Sequence, residues 1–97
     1  MNDIMQQCVR RNENVSWRDF DSECILLHLD SGCYYTLNGV GKFIWQHLNP
    51  GVKLAAVHVA MQDHFEVDAE PAESDLCELV EQLLEDDLVV VDVRPAT

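Results

Sequence analysis

Ninety-seven residues, 47% of them hydrophobic, suffice for one small core and not for two. No run of ~20 apolar residues is present to span a membrane, and the opening Met1 to Gln7 carries no apolar signal region, so the expectation is a cytoplasmic protein. Six Lys and Arg against eighteen Asp and Glu give a net charge of −12, a balance that repels phosphate backbones and anionic membranes and attracts a positively charged peptide or protein.

In chain order, residues 1–14 are polar and are expected to form a flexible N-terminal tail. Val15 to Phe20 alternates apolar and polar, the pattern of a half-buried strand with Val15, Trp17 and Phe20 near the core. Asp21-Ser22-Glu23 reads as a tight turn. Cys24 to Leu29 is a nearly continuous apolar run, which suits a central strand covered on both faces. Asp30-Ser31-Gly32 is a second turn, and Cys33 to Leu37 a third strand. Two short turns in succession make a three-stranded antiparallel meander whose third strand is an edge.

The period then changes. From Val40 the apolar positions are Val40, Phe43, Ile44, His47 and Leu48, one face of a helix. Asn38 stands at the switch, where its side chain can cap the first turn. Asn49-Pro50-Gly51 stops that helix. A second helix is expected from about Val52 to His64, with Leu54, Val57, His58, Met61 and Phe65 on its apolar side. The third, from Pro71 to Asp86, places Leu76, Leu79, Val80, Leu83 and Leu84 at helical spacing, with acidic residues around the rest. Leu88 to Val93 is a closing strand and residues 94–97 a C-terminal tail. The resulting fold class is α+β and winged-helix-like, with a single domain over residues 15–93: three antiparallel N-terminal strands, three helices and a short C-terminal strand.

Chemistry-bearing side chains are dispersed. Cys8, Cys24, Cys33 and Cys77 form no closely spaced pair, so neither a disulfide framework nor a zinc site is expected. His28, His47, His58 and His64 follow no ligand spacing, and no nucleophile comes with an orienting group. No catalytic residue, metal or cofactor is assigned.

The segment from Leu26 to Leu48 resembles the PqqD-like family, which includes the chaperone of pyrroloquinoline quinone synthesis and the recognition elements of ribosomally made, modified peptides. The family pattern falls on Leu26, Leu27, Gly32, Tyr35, Leu37, Asn38, Gly41, Ile44 and Trp45. Departures are Asp21-Ser22, where the family often has Asp-Gly, and the Lys53-Leu54-Ala55-Ala56 opening of the second helix. The resemblance implies a non-catalytic peptide-binding adaptor or chaperone. It would capture the leader of a precursor peptide by strand addition and present the core region to a modifying enzyme, often a radical SAM enzyme. An open edge strand supplies the backbone groups that such pairing uses. The candidate peptide-binding residues are Cys33, Tyr34, Tyr35 and Thr36 on the edge, and Leu76, Leu79, Val80 and Leu83 as the helical wall, some of which must face the core. If the Tyr35 N–H points outward, Pro at 35 weakens binding, with Pro at Thr36 as the control for the opposite register.

Two other functions compete with this one, a protein–protein interaction module apart. A winged-helix transcription regulator needs cationic or amide side chains on its recognition helix, and the third helix offers Gln82 and no Lys or Arg. A small enzyme needs convergent polar groups, which the sequence does not reveal. An open edge also permits a homodimer.

Overall fold

A computed structural model describes residues 4–91 of the chain. After a 3-10 turn (Ile4–Gln6) come strands β1 (Val9–Arg11), β2 (Val15–Asp19), β3 (Cys24–His28) and β4 (Tyr34–Leu37). Helices α1 (Gly39–His47), α2 (Leu54–Phe65) and α3 (Ala69–Glu85) follow, then strand β5 (Val89–Val91). The architecture is the expected α+β, winged-helix-like one. Strands β2, β3 and β4 form an antiparallel meander in that spatial order, with β4 on its rim.

The turns behave as their residues dictate. Phe20 and Glu23 exchange backbone hydrogen bonds across Asp21-Ser22, at 2.8 and 3.3 Å. Gly32 takes φ +74°, a left-handed conformation that a side chain would strain, while its N–H donates to the His28 carbonyl. At the strand-to-helix switch, Asn38 Oδ1 accepts from the Gly41 N–H at 2.9 Å. A Cβ on Gly41 would lie 3.1 Å from Leu37 Cβ, so this glycine lets α1 approach the end of β4.

The helices cover one face of the meander. Cys24, Leu26 and His28 of β3 point inward and are buried, with Leu37 beside them and Ile44, Trp45, Leu54, Met61, Leu76 and Val80 from the helices above. Each fully buried aliphatic side chain contributes about 1.5–3 kcal/mol relative to exposure. The other face is open. Ile25 and Leu27 are half-buried there, which corrects the expectation that β3 is covered on both sides. Phe20 is also corrected: it is 50% exposed, beyond the last rung of β2. Trp17 is 37% exposed and meets buried Trp45 edge-to-face at 6.3 Å.

The expected loose tail over residues 1–14 is corrected from Ile4 onward. Ile4 and Val9 are buried, and β1 pairs antiparallel with β5, Val9 opposite Val91 and Arg11 opposite Val89. Three apolar valines in β5 need a partner strand, and the N-terminal segment supplies it. Met1 to Asp3, the last residues expected in the closing strand (Asp92 and Val93) and the expected tail 94–97 lie outside the described residues.

Candidate peptide-binding site

An antiparallel ladder alternates between rungs that exchange hydrogen bonds and rungs that do not. The His28 N–H donates to the Cys33 carbonyl at 3.0 Å, which fixes the phase of the β3–β4 ladder. Tyr35 and Leu37 therefore spend their backbone groups on Leu26 and Cys24, and the Cys33 carbonyl is spent on His28. Tyr34 and Thr36 aim their N–H and C=O groups away from the sheet. No other segment among the described residues pairs with them. Cys33 itself precedes β4, and its N–H bonds to Ser31 Oγ at 3.3 Å.

Side chains alternate as well. Tyr34, 71% exposed, and Thr36 lie on the side of the open face, while Tyr35 and Leu37 turn toward the helices. The Tyr35 phenol is pushed above its ordinary value by desolvation first, then by the Asp86 carboxylate and the Cys33 thiol.

Alongside the far half of β4 runs a groove of about 440 Å³. Thr36, Leu37 and Asn38 form one bank, and Asp75, Glu78 and Leu79 of α3 form the other. Val40, Gly41 and Ile44 of α1 make the floor. The chemistry of this slot is an apolar bed with an acidic wall and an open backbone rim.

Of the four wall residues expected on α3, the structure brings only Leu79 to the groove. Leu76, Val80 and Leu83 are 0, 0 and 2% exposed and pack in the core, which removes them from any direct contact with a guest chain. The reason is helical geometry: positions 76, 80 and 83 share the stripe that faces the sheet, and position 79 lies on its flank. Asp75 and Glu78 belong to the acidic face of the third helix, which reads from sequence most simply as a solvated face and alternatively as a docking surface for a basic leader or for the enzyme; the α1 floor is not among the residues expected from sequence. The available signal was the i, i+3, i+4 spacing of Asp75, Glu78 and Leu79, which puts two carboxylates beside an apolar residue on one flank. Among the described residues no group of three or more His, Cys, Asp or Glu could hold a metal ion, and no helix is long and apolar enough to cross a membrane.

Comparison with known proteins points the same way. The family model for Coenzyme PQQ synthesis protein D (PqqD) matches residues 23–89. A solved structure described as TbiB1 in complex with the TbiA(beta) leader peptide is similar over 90% of this chain and 99% of that one, with 28% identity and a TM-score of 0.76. A lasso peptide synthetase B1 complexed with the leader peptide covers 86% of this chain and 98% of its own, with 30% identity and a TM-score of 0.75. No curated protein sequence matches the chain.

Proposed function

The chain belongs to the PqqD family, and on that footing we propose that it is a non-catalytic adaptor that captures the leader of a ribosomally made precursor peptide and presents it to a modifying enzyme in the cytoplasm. The observation that carries this reading is the unpaired rim at Tyr34 and Thr36 beside the Asp75–Leu79 groove. A leader laid along β4 adds a strand, taking backbone hydrogen bonds from those two residues. Its inward side chains drop onto Leu37, Val40 and Leu79. The acidic wall selects a leader with Lys or Arg next to its apolar anchors.

Both structural neighbours are described as bound to a leader peptide, and their similarity extends over most of this chain. The receiving enzyme is a peptide-modifying one. The family resemblance favours a radical SAM enzyme, and the name of one neighbour favours a lasso peptide synthetase partner. Co-purification of the tagged chain with either class separates the two.

The test is a titration of the ¹⁵N-labelled chain with synthetic leaders from short precursors encoded beside its gene. Saturable binding with amide shifts at Tyr34, Thr36 and Leu79 is the expected result. Binding of duplex DNA at physiological salt, with no leader bound, overturns the reading. The oligomeric state, monomer or homodimer through paired rims, follows from sedimentation of the free chain.

A further inference from the structure

The meander has a second rim. In the β2–β3 ladder, Ser16 and Arg18 stand opposite Leu27 and Ile25. The Leu29 N–H bond to the Asn14 carbonyl and the reciprocal Phe20–Glu23 bonds mark which rungs are bonded. By alternation, Trp17 and Asp19 direct their backbone groups outward. The Val15 N–H is already taken by the Asn12 carbonyl at 3.1 Å, but among the described residues no segment pairs with Trp17 or Asp19. Beside this rim lies a groove of about 410 Å³, walled by Arg10, Arg11, Trp17, Leu48 and Pro50.

Its charge is opposite to that of the β4 groove. Arg10 and Arg11 line it, two of only six Lys and Arg in a chain of net charge −12. Arg11 is the informative one. It is half-buried, its Nη1 donates to the Trp45 carbonyl at 3.0 Å and its Nη2 to Asn49 Oδ1 at 2.8 Å. Its guanidinium carbon lies 5.4 Å from the Trp17 ring centre. All these partners are neutral. Among the described residues no carboxylate pairs with it, although Glu13 also lines the groove. A guanidinium held in place this way spends two of its five N–H donors on these partners and has others for a planar anion. The one carboxylate on the rim itself, Asp19, is offset by its ion pair with Lys42.

We propose that the β2 rim is a second strand-docking site, which takes an extended acidic segment of the modifying enzyme, backbone to Trp17 and carboxylate to Arg11. That the segment belongs to the enzyme rests on the adaptor reading; the site itself rests on the rim, the groove and Arg11. The opposite charge of the two grooves sends a basic leader to β4 and an acidic segment to β2, so both chains are held at once. A second copy is disfavoured as the occupant, because two chains of net charge −12 repel each other.

The test uses the full chain, ¹⁵N-labelled, and two synthetic heptapeptides, Thr-Val-Asp-Val-Glu-Val-Thr and Thr-Val-Lys-Val-Lys-Val-Thr. The acidic peptide is expected to shift the Trp17 and Asp19 amides and the Arg11 Nε–H while leaving Tyr34 and Thr36 unmoved. Arg11→Met, which keeps the aliphatic stem over Trp17, is expected to weaken it about tenfold. Should that variant unfold, Arg11→Gln, a neutral side chain that can still donate to the Trp45 carbonyl, is the substitute, with an expected loss of threefold or more. Equal binding of the lysine peptide, no shift at Trp17 and Asp19, or undiminished affinity in a folded variant overturns the proposal. So does sedimentation showing a dimer whose contacts protect Trp17. Leader shifts at Tyr34 and Thr36, followed in the same sample, report on the adaptor reading separately.

Discussion

His28 Nε2 and Asp87 Oδ2 lie 3.2 Å apart, joining the end of β3 to the residue after the α3 cap. The Asp30 N–H reaches His28 Nδ1 at 3.3 Å, so the proton sits on Nε2 and the neutral imidazole donates to the carboxylate. Asp87 holds a left-handed backbone at φ 60°, and its carbonyl accepts from Asn12 Nδ2 at 2.8 Å. One strained residue thus ties β3, α3 and the loop after β1 together. Asp87→Ala should lower the unfolding free energy by ~1–2 kcal/mol, the cost of leaving a buried donor unpaired. Urea denaturation measures it, and a change below ~0.5 kcal/mol would show that the contact is incidental.

The ladder phase reverses the roles first assigned to two proline substitutions. The Tyr35 N–H points into the sheet toward Leu26, so Tyr35→Pro should break a rung and destabilise the fold by ~1–3 kcal/mol. Thr36→Pro removes an outward N–H instead. Its circular dichroism should stay native while leader affinity falls by ~1 kcal/mol or more. Equal leader binding in a folded Thr36→Pro chain would place the guest strand elsewhere.

The acidic wall makes a prediction of charge. Asp75→Asn with Glu78→Gln should leave stability within ~0.5 kcal/mol, since both side chains are exposed. Affinity for a basic leader should drop about threefold to tenfold, with a shallower salt dependence. Calorimetric titration at two salt concentrations reads both effects.

Asn38 tests how the groove floor is positioned. Asn38→Ala removes the acceptor for the Gly41 N–H and should cost ~1 kcal/mol. Because Gly41 abuts Leu37 and the floor begins at Val40, leader affinity should fall as well. Asn38→Asp keeps an acceptor and should restore both, which separates capping from a general loss of packing.

Alkaline pH should weaken the fold. Burial pushes the Cys24 thiol above its ordinary 9.0, with Asp19 adding and Lys42 opposing. Cys77 moves the same way through burial and the charges of Glu73 and Glu81. With the folded value raised, the unfolded chain loses its protons first as pH rises. The stability these thiols contribute is complete below 9.0 and drains away through the raised values. Urea midpoints should decline above about pH 9, and less steeply in the Cys24→Ala, Cys77→Ala double variant.

The sequence by itself determined the meander, the Asn38 switch, the three helices and the family, because each is written in local periodicity and turn chemistry. Tyr35, Leu37, Ile44 and Trp45 mark that pattern wherever the chain goes. It also named β4 as an edge, and the family resemblance placed α3 beside it. Tertiary structure alone decided that Tyr34 and Thr36, not Tyr35, offer the open backbone, since ladder phase is set by the partner strand. It alone put Leu76, Val80 and Leu83 in the core and Leu79 with Asp75 and Glu78 in the groove, since a helix's rotation about its axis is fixed by what it packs on. The pairing of β1 with β5 was hidden for a related reason: three residues carry too little pattern, and their partner lies some eighty positions away. Arg11, unremarkable in the sequence, acquired meaning only when Trp17, Trp45 and Asn49 closed around it.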